Sequence, residues 1–207
     1  MPSYKLTYFN GRGRAEIVRF VLLQAGVTYE DNRIEFETWG KMKKSGVAPF
    51  SQLPILELGD GTVLSQSGAI ARFIAKQNGL AGKDLIEQAL VDSIMDSTVD
   101  IFNTMAKIYF EKDEGQKATL KKKFIEDTFP TWETNIGKIL QQNASGWLVG
   151  KALTLADLAV FRLVDELKLS GGDAPTVKSP LLKQHASKVA ELPKIAKWLK
   201  DRPKSDF

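Results

Sequence analysis

A site for a carboxylate is predicted in the stretch from Ser51 to Ile74, where a strand edge and a helix start come together. Because proline donates no ladder hydrogen bond, Leu53-Pro54 is expected to begin a strand through a tight turn, cis or trans, with the Leu53 amide and carbonyl pointing outward. Residues 65–68 then open a helix, and its unpaired N–H groups can bind an anion. These groups together fit a peptide-like ligand that carries a carboxylate.

The absence of cysteine and the presence of a single histidine, His185, exclude several kinds of chemistry. Without cysteine the protein has no disulfide, no thiolate metal site, no sulfur nucleophile of its own and no thioredoxin-like or glutaredoxin-like redox role. A Ser-His-Asp triad and a multi-histidine metal site are not expected with one histidine. His185 lies in a polar helical stretch and is predicted to be exposed.

The overall composition is that of a globular protein, with 43% hydrophobic and 26% charged residues among 207, enough for one large or two small domains. The formal net charge is +4, but the lysines alternate with acidic residues, and we interpret the densest run, residues 117–123, as a solvated helix face. No nucleic-acid partner is therefore expected, whereas an anionic small molecule is favoured. With no apolar run of about 18 residues and no apolar stretch after Met1, we expect a cytoplasmic protein without a membrane partner.

The first 77 residues give strand and helix signals in the order βαβ-ββα. A helix between two strands requires a right-handed crossover and parallel pairing. A hairpin follows, with Gly59 and Gly61 both expected at positive φ, and then a helix with apolar positions at 69, 70, 73 and 74. The predicted strands cover residues 4–9, 28–35, 54–58 and 62–64. Helices are predicted from about residue 14 and from residues 65–68, and residues 36–49 are predicted as a short helix and loop.

From residue 83 onward the sequence predicts helices and no strand. Residues 77–82 contain two glycines without periodicity and are typical of a linker. Long helices are predicted over residues 84–110, 116–143 and 155–169, with two or three shorter ones beyond residue 179.

Asp92, Asp96 and Asp100 recur every four residues on the first long helix and so form one acidic stripe. Like charges at this spacing cost roughly 0.2–0.5 kcal/mol per pair. A cation from another subunit, a bound amine or a divalent metal would compensate. The alternative is an exposed stripe that solvent screens.

Thr154 and Asp157 have the spacing of a capping box, and Leu153 and Leu158 have that of a hydrophobic staple. A helix cap of this kind contributes on the order of 1 kcal/mol. We therefore assign Asp157 a structural role rather than that of a catalytic acid.

Three motifs, YKLTYFNGRGRAE at the amino terminus, QLPIL and SQSGAI, resemble the cytosolic glutathione transferases. The resemblance is closest to their sigma class, which includes the glutathione-dependent prostaglandin D synthases, and it covers essentially the whole chain. It implies a thioredoxin-like βαβ-ββα domain over residues 1–77, a linker at 78–82, and an all-helical domain over 83–207 that contributes the electrophile pocket and dimer contacts. A homodimer that uses glutathione as co-substrate, with no further cofactor and no metal, is expected.

The resemblance also implies that Tyr8 donates a hydrogen bond to the sulfur of glutathione. Such a bond to a charged group contributes ~1.5–3 kcal/mol, and 1.36 kcal/mol corresponds to one pKa unit. A thiol pKa near ~8.5 would therefore fall by roughly one to two units, which makes the thiolate substantial at neutral pH. Arg14 and the N-terminus of the first helix add positive potential.

The remaining glutathione contacts are assigned by the same resemblance. The glycyl end takes Trp39 and Lys43, with Lys43 facing the glycyl carboxylate. The cysteinyl residue pairs with Gln52 and the backbone at Leu53-Pro54. The γ-glutamyl carboxylate takes Gln66 and Ser67, and Asp100 of the partner subunit reaches the γ-glutamyl amine.

An apolar pocket for the electrophile is expected, although each of its candidate residues can equally belong to the core. The candidates are Phe9, Gly13, Phe102, Met105 and the tail that ends at Phe207.

The predicted function is conjugation of the glutathione thiolate to small hydrophobic electrophiles. One alternative is a glutathione-dependent prostaglandin H2 D-isomerase. Against it, Val99-Asp100 stands where the vertebrate prostaglandin D synthases carry two adjacent aspartates, and Lys107 stands where an aromatic residue is expected. The other alternative is a crystallin-like or ligand-carrying relative without turnover, against which the retained Tyr8 argues.

Overall fold

The computed structural model describes residues 4–168 and 174–205. Contacts divide the chain into two compact units: the first comprises the chain up to Ala81 and from Leu192 onward, and the second is Gly82–Glu191. Residue 169, predicted as a helix end, and the predicted pocket residue Phe207 lie outside the described residues.

A four-stranded mixed sheet forms the centre of the first unit. Strand order is β2-β1-β3-β4, with β1 parallel to β2 and antiparallel to β3, and with β3 antiparallel to β4. The predicted parallel crossover and the predicted hairpin are thus confirmed. The strands are β1 Tyr4–Phe9, β2 Tyr29–Ile34, β3 Ile55–Leu58 and β4 Val63–Ser65.

Within the described residues before Ala81, three helices accompany this sheet. The buried face of the third helix consists of Ile70, Ala71, Ile74 and Ala75, and Ala69, one of the predicted apolar positions, is exposed. The helices are α1 Glu16–Ala25, preceded by a 3-10 turn at Gly13–Ala15, α2 Phe36–Met42, followed by a 3-10 turn at Lys43–Ser45, and α3 Ser67–Gln77.

The hairpin turn corrects the prediction for Gly59. Only Gly61, with φ of 87°, lies in the left-handed region, so the expectation of two positive-φ glycines is wrong. Gly61 N–H donates to the Leu58 carbonyl at 3.0 Å, and Leu58 N–H donates to the Thr62 carbonyl at 2.8 Å. One left-handed residue is enough to close this loop.

Within its described residues the second unit contains helices joined by turns and loops, and no strand. Every residue of its fourth helix is buried, which places that helix at the centre of the unit. A π-helical turn at Phe124–Thr128 separates two helices where the sequence predicted one over 116–143. The helices are α4 Leu85–Phe110, α5 Glu114–Lys123, α6 Phe129–Gln142, α7 Leu155–Leu167 and α8 Pro180–Ala190.

The last helix, α9 Pro193–Asp201, packs on α1 in the first unit. The resemblance implied one helical domain over residues 83–207, whereas the contacts group α9 with the first unit. Helical periodicity does not indicate which core a helix joins. Part-buried hydrogen bonds from the side chains of Trp198 and Arg202 to Glu16 hold α9 in place. None of the helices within the described ranges is long and apolar enough to cross a membrane.

The start of α7 confirms the capping box of Thr154 and Asp157 and corrects the prediction for His185. His185 is 3% exposed, and its Nε2 lies 2.9 Å from Asp157 Oδ1, so the predicted exposure is wrong. Asp157 also accepts hydrogen bonds from the amides of Leu148 and Thr154, at 2.8 and 2.7 Å. The polar neighbours of His185 in sequence occupy other faces of α8, which is why the local pattern misled.

Candidate functional site

Tyr8 lies near the end of β1, and the turn that follows the strand encloses its phenol. The side chain belongs to the buried core, with 8% of the residue exposed. The backbone N–H of Arg14 donates a hydrogen bond to the phenolic oxygen at 3.1 Å. A phenol that accepts such a bond keeps its own O–H for donation. The turn therefore fixes the oxygen and leaves the proton for a ligand atom.

Gly13 makes this position of the phenol possible. Its φ is +40°, and a Cβ built on it would lie 2.5 Å from the Tyr8 oxygen. No side chain fits at that distance, so only glycine allows the turn to close over the ring. Gly13 was predicted as part of the wall of the electrophile pocket, and in the structure it lies directly against the Tyr8 phenol.

A second group of predicted residues meets where β4 enters α3. Gln66 Nε2 donates to Gln52 Oε1 at 2.9 Å, and the Leu53-Pro54 peptide is cis. Leu53 is buried, and within the described part of the chain its amide and carbonyl form no hydrogen bond. The structure thus brings the Gln52–Pro54 segment and Gln66 together.

Gln66, the residue directly before α3, has a strained backbone. Its φ is 70°, which a residue with a side chain seldom adopts and which costs of order 1–3 kcal/mol. Ser67 follows as the first residue of α3, and no side chain caps this helix N-terminus within the described residues. The helix therefore presents N–H groups that an anion can occupy.

An aromatic cluster extends from Tyr8 to α2. The Phe9 ring lies 5.4 Å from the Tyr8 ring and makes an edge contact with Trp39 at 6.4 Å. Phe36, which the sequence reasoning missed, stacks on Phe9 at 4.5 Å with an interplanar angle of 28°, although 64% of the residue is exposed. Its spacing of three from Trp39, which puts both on one face of α2, is the signal that could have found it. Lys43 begins the turn after α2 and is exposed.

Asp100 lies exposed on α4, one turn beyond Asp96. Its backbone carbonyl accepts a hydrogen bond from Thr104 Oγ1 at 3.0 Å. Across the residues that the structure describes, no group of three or more His, Cys, Asp or Glu side chains could hold a metal ion. The role of Asp100 toward a partner subunit stays a prediction.

Phe102 and Met105, the other predicted pocket residues, are half-buried on α4 in the second unit. The Arg162 guanidinium lies 3.7 Å from the centre of the Phe102 ring. This distance is that of a cation–π contact, and it covers one face of the ring. Lys107, farther along α4, is exposed.

Comparisons with known proteins agree with the resemblance of the motifs. Residues 4–76 match the family model for the glutathione S-transferase N-terminal domain, and residues 99–202 match that for the C-terminal domain. The chain is 43% identical to probable glutathione S-transferase 5 of Caenorhabditis elegans over all of both chains. It is 40% identical to the hematopoietic prostaglandin D synthase of Gallus gallus over 99% of each. The solved structure of a Nu-class GST from Haemonchus contortus is 43% identical, with a TM-score of 0.89 and full coverage of both chains.

Proposed function

The chain belongs to the glutathione S-transferase family and is a transferase of that kind; we propose that Tyr8 activates the sulfur of reduced glutathione for attack on small hydrophobic electrophiles. The single observation that carries the role of Tyr8 is its geometry, with the phenolic oxygen held by the Arg14 amide at 3.1 Å. This bond polarises the phenol, so its O–H becomes a better donor to a thiolate. Stabilising the thiolate lowers the pKa of the thiol and raises the fraction of nucleophile at neutral pH.

The tripeptide is proposed to lie across β3 and the start of α3. Its extended backbone pairs with the Leu53 amide and carbonyl, beside Gln52 and Pro54, as an added strand. Its γ-glutamyl carboxylate meets the Ser67 hydroxyl and the N–H groups at the α3 start, with Gln66 alongside. This arrangement is supported by the unpaired Leu53 backbone and by the absence of a side-chain cap on α3 among the described residues.

Charged residues are proposed to lie near the glycyl carboxylate, the sulfur and the γ-glutamyl amine of the tripeptide. Lys43 is proposed to face the glycyl carboxylate, beside Trp39, and Arg14 adds positive potential near the sulfur. The γ-glutamyl amine is proposed to pair with Asp100 of the partner subunit, which would relieve part of the repulsion in the acidic stripe.

The electrophile is proposed to bind against apolar groups. Phe9 and Phe36 offer stacked ring faces beside Tyr8, and Gly13 leaves room for the phenol. Phe102 and Met105 are the proposed contribution of α4.

We further propose that the protein is a cytoplasmic homodimer of the sigma class, with no nucleic-acid or membrane partner. The names of the relatives support the family but extend beyond this class, since one solved relative is described as Nu-class.

Kinetics with 1-chloro-2,4-dinitrobenzene test the role of Tyr8. In Tyr8→Phe the turnover number should fall about 10- to 100-fold, the equivalent of one hydrogen bond to a charged group. Glutathione affinity, measured by calorimetry, should stay nearly unchanged. Tyr4→Phe is a matched control, because the Tyr4 hydroxyl on the same strand donates to Gln77 at the surface. Equal losses of turnover and affinity in Tyr8→Phe would contradict the assignment.

Prostaglandin H2 isomerisation is the second candidate, and the similarity to a hematopoietic prostaglandin D synthase favours it. Product analysis with prostaglandin H2 and glutathione separates the two reactions. A protein that binds glutathione but turns over neither substrate would instead be a crystallin-like or ligand-carrying relative.

A further inference from the structure

Glu16, the first residue of α1, is a buried carboxylate to which three side chains donate hydrogen bonds. Oε1 accepts from Trp198 Nε1 at 2.8 Å and from Arg202 Nη1 at 3.0 Å, both from the segment that contains α9. Oε2 accepts from Arg19 Nη1 at 3.2 Å. Glu16 is 1% exposed and Arg19 is 0% exposed. Burying these charges is costly unless they are paired, so the cluster has one favourable arrangement.

Arg19 extends the cluster to the turn that follows β1. Its Nη1 also donates to the Gly11 carbonyl at 2.7 Å, in a buried bond, and its Nε donates to Asp31 Oδ1 on β2 at 3.1 Å. One rigid guanidinium therefore ties α1, β2 and the turn together. A support for α1 alone would not require the bond to Gly11.

The turn that Arg19 holds is the one that closes over the phenol. Gly11 N–H donates to the Phe9 carbonyl at 2.7 Å, and three residues later the Arg14 amide donates to the Tyr8 oxygen at 3.1 Å. Because a Cβ built on Gly13 would lie 2.5 Å from the phenolic oxygen, the turn passes close to the ring, and a shift of this turn changes the length of that bond. The hydrogen bond to the phenol is thus linked through backbone to the Arg19 guanidinium.

We propose that Glu16 and Arg19 are positioning residues for thiol activation, and that α9 acts on the Tyr8 phenol through them. The inference rests on the proposed function, since it concerns how Tyr8 is held while it activates glutathione. Trp198 and Arg202 fix the Glu16 carboxylate, Glu16 fixes Arg19, and Arg19 fixes the turn that supplies the Arg14 amide. Loosening α9 should therefore weaken the phenol as a donor without removing any group that touches glutathione.

Trp198→Phe is the primary variant, because it deletes one N–H donor to Glu16 and keeps an aromatic ring in place. We expect the midpoint of the pH dependence of kcat/KM for 1-chloro-2,4-dinitrobenzene to move upward by about half a unit to one unit. Conjugation below the midpoint should fall about 3- to 10-fold, and it should recover at higher pH. The ultraviolet absorption of the bound thiolate should show the same displacement, and glutathione affinity at high pH should change less than about twofold.

Two further variants separate positioning from support of the fold. Arg19→Lys keeps the charge but cannot reach Gly11, Glu16 and Asp31 together, so it should displace the midpoint at least as far as Trp198→Phe. Lys197→Gln is the matched control, because Lys197 pairs with Asp201 on the exposed side of the same helix. It should leave the midpoint unchanged.

A lower melting temperature in Trp198→Phe with an unchanged pH midpoint would overturn the inference. The cluster around Glu16 would then support the fold without acting on thiol activation. If Trp198→Phe does not fold, Arg202→Met supplies the same comparison, because it removes the other donor to Glu16 Oε1, and an unchanged midpoint there would also overturn the inference. Failure of the proposed function is distinct, since the unaltered chain would then show no conjugation at any pH, and the inference would fall with it.

Discussion

Gly13 and Tyr8 constrain each other, and this pair can be tested by adding one methyl group. In Gly13→Ala the new Cβ would meet the phenolic oxygen at 2.5 Å, so the ring or the turn must move. The Arg14 amide would then lose its alignment with the phenol. We expect conjugation to fall about 3- to 10-fold, which corresponds to the loss of one ordinary hydrogen bond to the reacting group.

Gly79→Ala controls for backbone strain in this experiment. Gly79 has a comparable positive φ, +71°, but nothing lies within 4 Å of a Cβ built there. Gly79→Ala should lose about 1 kcal/mol of stability in urea unfolding from backbone strain alone, and Gly13→Ala should lose at least as much because the contact with Tyr8 adds to the strain. Activity that falls equally in both would show that contact with Tyr8 is not the cause.

Phe36 should influence which electrophile is used, because its exposed ring extends the stacked surface of Phe9. In Phe36→Leu, kcat/KM for 1-chloro-2,4-dinitrobenzene should fall about 3- to 10-fold, since an aromatic pair contributes ~0.5–1.5 kcal/mol beyond its buried area. A linear alkenal should be affected less than about twofold. Phe36→Tyr, which keeps the ring, should restore the preference.

Phe110→Leu provides the same chemical change at another exposed phenylalanine, on α4. Its ratio of aromatic to alkenal turnover should match that of the unaltered protein. An unchanged ratio in Phe36→Leu would exclude Phe36 from the electrophile site.

Residue types and spacing predicted part of the candidate site but not its mutual contacts. Local rules alone predicted a strand edge at Leu53-Pro54, from the proline, and a helix start at residues 65–68, from the small polar residues. The left-handed backbone of Gln66, the stacking of Phe36 on Phe9 and the burial of Glu16 could not be predicted in this way, although the spacing of Phe36 from Trp39 does place both on one face of α2. Each depends on a neighbour that is distant in sequence or on a backbone state that its residue type disfavours.

Among the elements, α7 depends most on a single carboxylate. In Asp157→Ala the amides of Leu148 and Thr154 and the ring of His185 lose their acceptor inside the second unit. Buried donors left without partners cost about 1–3 kcal/mol each. We expect a loss of at least about 3 kcal/mol in urea unfolding, or failure to fold.

Asp113→Ala is the matched control at the start of α5. Asp113 caps that helix by accepting from Gln116 N–H at 2.7 Å, at an exposed position. Its loss should cost only about 1 kcal/mol, because water replaces the bond. Similar losses in the two variants would show that the buried network around Asp157 adds nothing beyond an ordinary cap.

The elements themselves were largely predictable, because periodicity and turn residues are local. Residues 4–9, which are rich in aromatic and β-branched types, form β1 over the predicted range, and the glycine at position 26, with φ of 72°, ends α1. The π-helical turn at Phe124–Thr128 was not predicted, because one extra residue in a single helical turn does not change the helix-forming character of the sequence. The burial of His185 and the packing of α9 on α1 were not predicted either. Both depend on contacts with residues that are distant in sequence, and the local pattern does not show such contacts.

At the scale of the whole molecule, large apolar side chains remain exposed at the start of α4. Leu85 is 83% exposed and Ile86 is 74% exposed. Neighbouring exposed apolar residues of this size are typical of a surface that another protein covers. For a family member, a second copy of the chain is the expected partner, and it would also bring the partner's Asp100 to the glutathione site.

Sedimentation equilibrium should therefore give about twice the chain mass of 23.0 kDa at micromolar concentration. The double variant Leu85→Glu, Ile86→Glu should lower the measured mass toward that of one chain, since charges at a subunit contact are costly to bury. Acidic residues in the first turn suit the helix dipole, so α4 itself should persist. Leu181→Glu, in the first turn of α8 at a residue 39% exposed, is the matched control and should leave the mass unchanged.

Glutathione affinity should depend on dimer formation if the partner subunit contributes a residue to the glutathione site. If Asp100 of the partner subunit holds the γ-glutamyl amine, the Leu85→Glu, Ile86→Glu variant should bind glutathione about tenfold more weakly, the equivalent of one charge-assisted hydrogen bond. Asp100→Asn should weaken binding to a similar degree while the protein stays dimeric, because it removes the charge and leaves the apolar surface intact. Calorimetry on both proteins decides the matter. Full affinity in the dissociated variant would show that one chain completes its own site, and a single-chain mass for the unaltered protein would exclude the dimer.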